Sequence, residues 1–152
     1  MISIRFDDHD DRCLSFDLRD VLSCLGQERG NSFLWKIFEA TGITRDGSSS
    51  SRELMKKVEK SQSGVEVTWD DLKLFGEELV QLEMGLIAGR RSPWPEEQVP
   101  QHEGALSFAL RRADVVIEAF DASYWTVYSD RMDLIQRFQE RFHSAKVLGG
   151  GS

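Results

Sequence analysis

The sequence predicts an α+β fold: a small antiparallel sheet built from N- and C-terminal hairpins, with about five helices packed against it. Three observations carry that expectation. Apolar residues alternate near both ends, in ISIRF (Ile2–Phe6), VVIEAF (Val115–Phe120) and YWTVYS (Tyr124–Ser129), which is the period of a half-buried strand. Between them apolar residues recur at three- and four-residue steps, the period of a helix. And 152 residues, 40% hydrophobic and 30% charged, suffice for one core without disulfide or metal.

ISIRF points Ile2, Ile4 and Phe6 one way, and CLSF resumes the alternation with Leu14 and Phe16. The polar stretch between them reads as the connection of a β-hairpin. Asp17 then caps a helix carrying Leu18, Val21, Leu22 and Leu25, which Gly26 stops. A second helix is expected from Asn31 or Ser32, with Phe33, Leu34, Ile37 and Phe38 as its stripe and Gly42 as its end. RDGSSSSRE (Arg45–Glu53) is a loop, and Ser50 with Glu53 offers a capping box for a helix through Lys60.

Val65–Val67 is a short extended piece, and Thr68 with Asp71 gives another capping signature. Leu72, Phe75, Leu79, Leu82 and Leu86 then predict the longest amphipathic helix of the chain. The prolines Pro93, Pro95 and Pro100 all fall in SPWPEEQVPQHEG, so Ser92–Gly104 is a connection. ALSFALRRA fits a helix or a hairpin strand. Two strands follow, joined by Asp121, Ala122 and Ser123. Ser129 or Asp130 caps a last helix bearing Leu134, Ile135, Phe138 and Phe142. Residues 1–148 form one domain, and GGGS (Gly149–Ser152) reads as a flexible tail.

The net charge of −7 and pI near 5.0 disfavour nucleic acid and anionic membrane as partners, since both reward a basic face. They favour a basic protein. Cys13 and Cys24 lack metal-ligand spacing and read as reduced thiols. No signal peptide or membrane span is visible, so a cytoplasmic protein is expected. No GxSxG, HExxH, CxxC or phosphate-binding glycine loop occurs, so no catalytic residue, metal or cofactor is assigned.

RFDDHDDRC gathers Asp7, Asp8, His9, Asp10 and Asp11 at the expected hairpin tip. A solvated turn is the plainest reading, because aspartate bonds nearby backbone amides. A calcium loop would need alternating acids and a central glycine, both missing here. As a functional element, Asp7, Asp8, Asp10 and Asp11 would steer a basic partner. Trp94, held between two prolines, either plugs the loop onto the core or stands out as an anchor. Alternation puts Tyr124, Thr126 and Tyr128 on one face and Trp125 with Val127 on the other. Tyr and Trp dominate binding hot spots, so Trp94, Tyr124, Trp125 and Tyr128 complete the expected partner-binding set.

The segment VVIEAFDASYWTVYSDRMDLIQRFQERF (Val115–Phe142) resembles the C-terminal ends of small bacterial immunity proteins of polymorphic and contact-dependent toxin systems. The shared pattern is a strand ending in Asp, an aromatic strand, and a helix closed by an Arg-Phe pair. The resemblance implies a folded, non-catalytic inhibitor that covers the active surface of a basic toxin such as a nuclease, with Tyr124, Trp125 and Tyr128 as the aromatic positions concerned. Two other classes stay open at this level. One is a small enzyme or small-molecule-binding domain with a sheet–helix pocket, where His102 or His143 would act. The other is a structural homo-oligomer subunit.

Overall fold

The computed structural model describes Met1–Asp10 and Cys13–Gly150. In chain order the strands are β1 (Ile2–Phe6), β2 (His9–Asp10), β3 (Cys13–Leu14), β4 (Leu34–Thr44), β5 (Val65–Val67), β6 (Leu79–Arg90), β7 (Val115–Phe120), β8 (Tyr124–Ser129) and β9 (Lys146–Gly150). The helices are α1 (Leu18–Leu25), α2 (Gln27–Asn31), α3 (Ser49–Lys60), α4 (Trp69–Glu78), α5 (Ala105–Arg112) and α6 (Met132–Arg141). Seven strands make one sheet in the order β5-β4-β6-β7-β8-β1-β9, and every neighbouring pair is antiparallel. The fold is α+β, as the patterning predicts.

Helices α1, α4 and α6 cover one face of the sheet, where Ile4, Phe6, Trp35, Ile37, Ile117, Trp125 and Val127 meet Leu18, Leu22, Leu72, Phe75, Ile135 and Phe138. Capping fixes how two of these helices start. The Asp17 carboxylate accepts from the Leu18 amide at 2.7 Å, and the Asp20 carboxylate accepts from the Asp17 amide at 2.9 Å. Asp17 also accepts from the Leu82 amide, which ties α1 to β6. Thr68 caps α4 by accepting from the Asp71 amide at 3.0 Å. On the opposite face α5 packs Ala109 against Leu86, Ala88 and Val116, and Trp94 from the proline segment joins them.

Four elements depart from the sequence reading. The expected helix after Asn31 is strand β4: Trp35 and Ile37 enter the main core while Lys36 between them is buried under the other layer. A strand buried on both faces gives a continuous apolar run that helical spacing mimics. The expected long helix stops at Glu78, and Leu79, Leu82 and Leu86 belong to β6. Register shifts along β4–β6 let a three- and four-residue leucine spacing persist in a strand. Glycine supports that outcome: a Cβ at Gly89 would stand 2.9 Å from Val115 and 3.0 Å from Trp35, a closeness that favours glycine in the strand.

The third departure is at the N-terminus. ISIRF does not pair with CLSF; β1 lies between β8 and β9, and the short ribbon β2–β3 stands apart. The two chain ends therefore build one half of the sheet, β7-β8-β1-β9, through long-range pairing, while the middle of the chain supplies the other half, β5-β4-β6. Fourth, Gly149 and Gly150 belong to β9, so the strand runs into the glycine segment that composition assigns to a flexible tail. Smaller shifts concern caps. Ser48 is the N-cap position of α3, and Arg131 that of α6, where the Ser129 hydroxyl accepts from the Arg131 amide at 3.1 Å.

Candidate functional site: the open half of the sheet

The second face of the sheet is only half covered. Cross-strand partners share a face, so the register defines its rows. One row runs Lys36, Ala88, Val116, Tyr128, Ser3, and its first members lie under α5 and the proline segment. The next reads Glu39, Leu86, Glu118, Thr126, Arg5, Lys146 across six strands. Phe120 and Tyr124 form a third pair beyond it. No helix covers the last two groups over β8 and β1 among the described residues.

There the side chains support one another. Phe120 and Tyr124 stack with centroids 5.2 Å apart and planes 18° from parallel. The Arg5 guanidinium lies over the Tyr124 ring, 4.0 Å from its centroid, a cation–π contact. Arg5 Nε also donates to Thr126 Oγ1 at 3.3 Å. Three planar groups thus stand side by side across β7, β8 and β1, with their positions fixed by the pleat and by the fully buried Thr126 beneath. Phe120 ends the stack and is 42% exposed.

The turn that brings Phe120 back to Tyr124 holds Asp121 at φ +50° and Ala122 at φ +52°. It closes through the Ser123 amide donating to the Phe120 carbonyl at 2.9 Å. Paired positive dihedrals match the twist of the flanking strands, although alanine pays sterically for them. Beside the stack, Tyr128 donates its hydroxyl to Glu118 Oε1 at 3.3 Å. Burial raises the Glu118 carboxyl above the ordinary range; the Tyr128 bond and Arg5 oppose the rise, and Glu39 adds to it. Burial and the Glu118 charge push the Tyr128 hydroxyl up to about 12. Tyr128 is therefore a neutral donor at neutral pH.

Of the sequence-predicted set, Tyr124 lies on the open half of this face and Tyr128 at its border, against the α5 cluster, both half-buried. Asp7 directly follows β1, is exposed, and donates its amide to the Ser144 hydroxyl at 2.7 Å. Asp10 is exposed on the separate ribbon. Asp11 lies outside the described residues. Asp8 must be corrected: its carboxylate accepts from the His143 amide at 2.8 Å, the Ser144 amide at 2.9 Å and the Ser144 hydroxyl. Burial pushes its pKa up, but the Ser144 and His143 hydrogen bonds outweigh that and hold it below the usual carboxylate range. Asp8 clamps the N-terminal segment to the end of α6, so its carboxylate is committed to that contact and is not a free side chain of the turn.

Two tryptophans are corrected as well. Trp125 is 1% exposed and packs on Phe16 with centroids 6.0 Å apart; alternation turns it into the helix-covered core. Trp94 is 8% exposed, donates Nε1 to the Leu34 carbonyl at 2.9 Å and meets Phe38 edge-on. It is the plug of the proline segment and not an anchor. Sequence reasoning passed over Arg5, Glu118 and Phe120. Their phase in ISIRF and VVIEAF opposes that of Ile4 and Ile117, a signal that assigns them to the second face but says nothing of its cover.

The clefts of the surface offer less. Five of them hold about 300 to 550 Å³, and none is lined by a histidine. The His9 ring lies 3.1 Å from the Asp7 carbonyl oxygen, and His143 meets Asp8 through its backbone amide. Among the described residues no three His, Cys, Asp or Glu side chains gather as a metal would need, and no helix is long and apolar enough to cross a membrane. Cys24 is buried, and burial pushes its thiol up to about 11. No protein family, curated protein or solved structure matches this chain.

Proposed function

We propose that this chain is a non-catalytic protein-binding domain, an immunity-type inhibitor that neutralises a basic bacterial effector such as a nuclease toxin by covering its active surface. The observation that carries the reading is the Phe120–Tyr124–Arg5 stack, a rigid aromatic ridge on the half of the sheet that α5 leaves bare. Preorganised aromatic and arginine side chains lose little freedom on docking, which is why such residues dominate hot spots. Asp7 directly follows β1 and Asp121 directly follows β7, both exposed, in a chain of net charge −7. That charge speeds encounter with a basic protein, while the ridge sets the lifetime of the complex.

The test is capture from native cells at low salt, with wild-type protein beside a Phe120→Ser/Tyr124→Ser variant of verified fold. A stoichiometric basic protein held by the wild type, released as salt rises and lost from the variant, supports the reading. Retention of that protein by the variant removes the ridge from the interface. A wild-type sample that captures nothing stoichiometric overturns the reading.

A further inference from the structure

At the β5 edge of the sheet a cleft of about 500 Å³ opens where β4 and β5 meet the start of α4 and the proline segment. Its floor is aromatic: Phe33, Trp35, Trp69 and Trp94 line it, all buried. Its walls are more open, with Leu34 47% exposed and Pro93 also at the surface. A large apolar side chain is thus left in water at the mouth of a concave site, and an alkyl chain laid in the cleft covers it.

The polar groups of this cleft are sorted by kind. The Trp35 indole donates to the Gly30 carbonyl at 2.8 Å, that of Trp69 to Gln27 Oε1 at 2.9 Å, and that of Trp94 to the Leu34 carbonyl at 2.9 Å. The indole donors are therefore spent within the fold. The charged side chains in the lining are two exposed carboxylates, Glu66 and Asp71, with no lysine, arginine or histidine. Asp71 accepts from the Thr68 amide through Oδ2 at 3.3 Å, and its other oxygen has no partner among the described residues. The Glu66 carboxylate takes part in no hydrogen bond or ion pair among them. Three cations come near without lining the cleft. Lys36 is the cross-strand neighbour of Glu66, but its ammonium lies 5.3 Å from the Trp94 ring centre and beyond ion-pair distance. Arg91 rests 5.8 Å from the ring centre of Phe33. Lys57 lines the neighbouring cleft between α3 and α4, which shares Glu66 and Asp71. Of the five clefts, this one alone combines carboxylates with no basic side chain.

We propose that this cleft receives a lysine or arginine side chain of a basic partner protein. The alkyl stem lies along Leu34 and the aromatic floor, and the charged head pairs with Glu66 and Asp71. Long basic side chains suit such a site, because the stem covers apolar surface while the head keeps polar company. Hydrogen bonds between a cation and a carboxylate are also the stronger kind. An anion meets two like charges there and finds the indole donors taken. The cleft lies at the edge of the sheet opposite β9, away from the ridge over β7, β8 and β1. The proposal shares with the reading above only the basic character of the partner.

The test follows the indole signals by ¹H–¹⁵N NMR at constant ionic strength, with Trp125, which does not line the cleft, as internal reference. Three probes are titrated, the N-acetyl N-methylamide forms of lysine, arginine and citrulline; citrulline keeps the arginine stem and loses the charge. Ligands of so few atoms bind in the millimolar range, so half-saturation by the two cations is expected below about 20 mM. Citrulline should bind at least about five-fold more weakly, and Glu66→Gln, at an exposed edge position, should weaken the cations to a similar degree. The tighter-binding cation names the head group that the cleft prefers. The absence of a saturable shift at the cleft indoles, an equal response to citrulline, equal shifts of Trp125, or an undiminished response in Glu66→Gln overturns the proposal. The Phe120→Ser/Tyr124→Ser variant should bind the cations as wild type does; loss of binding there assigns them to the ridge and overturns it as well. The citrulline comparison uses wild-type protein, so it stands even where a variant folds poorly. It also needs no partner, so its failure is distinct from a failed capture.

Discussion

Replacing Asp8 with alanine separates its structural role from the steering role that its acidic neighbours suggest. Asp8 accepts two backbone amides and one hydroxyl from His143 and Ser144, joining residues more than 130 positions apart. A hydrogen bond to a charged group contributes about 1.5–3 kcal/mol when well shielded. Asp8 is only half-buried, so solvent screening reduces each bond, and roughly 2–3 kcal/mol for the whole clamp is a fair expectation. For a domain of this size that corresponds to a fall in Tm of about 4–12 °C. Asp7→Ala and Asp10→Ala, at exposed positions, should stay within about 0.5 kcal/mol of wild type.

The pH dependence fixes the sign. Because hydrogen bonding depresses the folded-state pKa of Asp8, its stabilisation is present above the unfolded-state value near 3.9. It is lost as pH falls through the lower folded-state value. The gap between wild type and Asp8→Ala should therefore be full at pH 7 and shrink below about pH 4. Urea unfolding followed by tryptophan fluorescence at pH 7 and at pH 3 measures both quantities. Equal destabilisation by all three alanine variants, or a gap that does not shrink in acid, would refute the clamp.

Two further perturbations address the open face. Glu118 has a folded-state pKa raised by burial, so its ionisation opposes folding, and that cost appears as pH rises through the raised value. Glu118→Gln should accordingly stabilise the protein at pH 7 and lose that advantage below the ordinary glutamate pKa of about 4.3, as thermal unfolding at the two pH values will show. Ala122→Gly should raise stability by about 1 kcal/mol, since glycine relieves the φ of +52° at that position; a decrease in denaturant midpoint would mean that the turn relaxes otherwise in solution.

Local chemistry was legible from the residues alone. Asp17 and Thr68 cap their helices because an N-terminal amide needs an acceptor that side chain can supply within three residues. VVIEAF and YWTVYS are strands because a period of two with β-branched and aromatic residues suits a pleated surface. That period also split Tyr124 and Tyr128 from Trp125. It did not say which set faces the helices, since a period of two has no preferred side. Burial on both faces let β4 pass for a helix, and strand irregularities let the leucines of β6 extend the helical spacing of α4.

Tertiary structure decided what depends on distant partners. That Asp8 is a clamp rests on His143 and Ser144, and no local pattern joins those residues. The pairing of β1 with β8 and β9 and the burial of Lys36, Trp94 and Trp125 arise in the same way. Residue types and periods act over a turn or a strand pair, whereas exposure is a property of whatever else packs nearby. The composition and periodicity therefore determined an acidic α+β domain and most of its local elements. Only the packing of α5 over part of the sheet determined which residues of its second face remain at the surface.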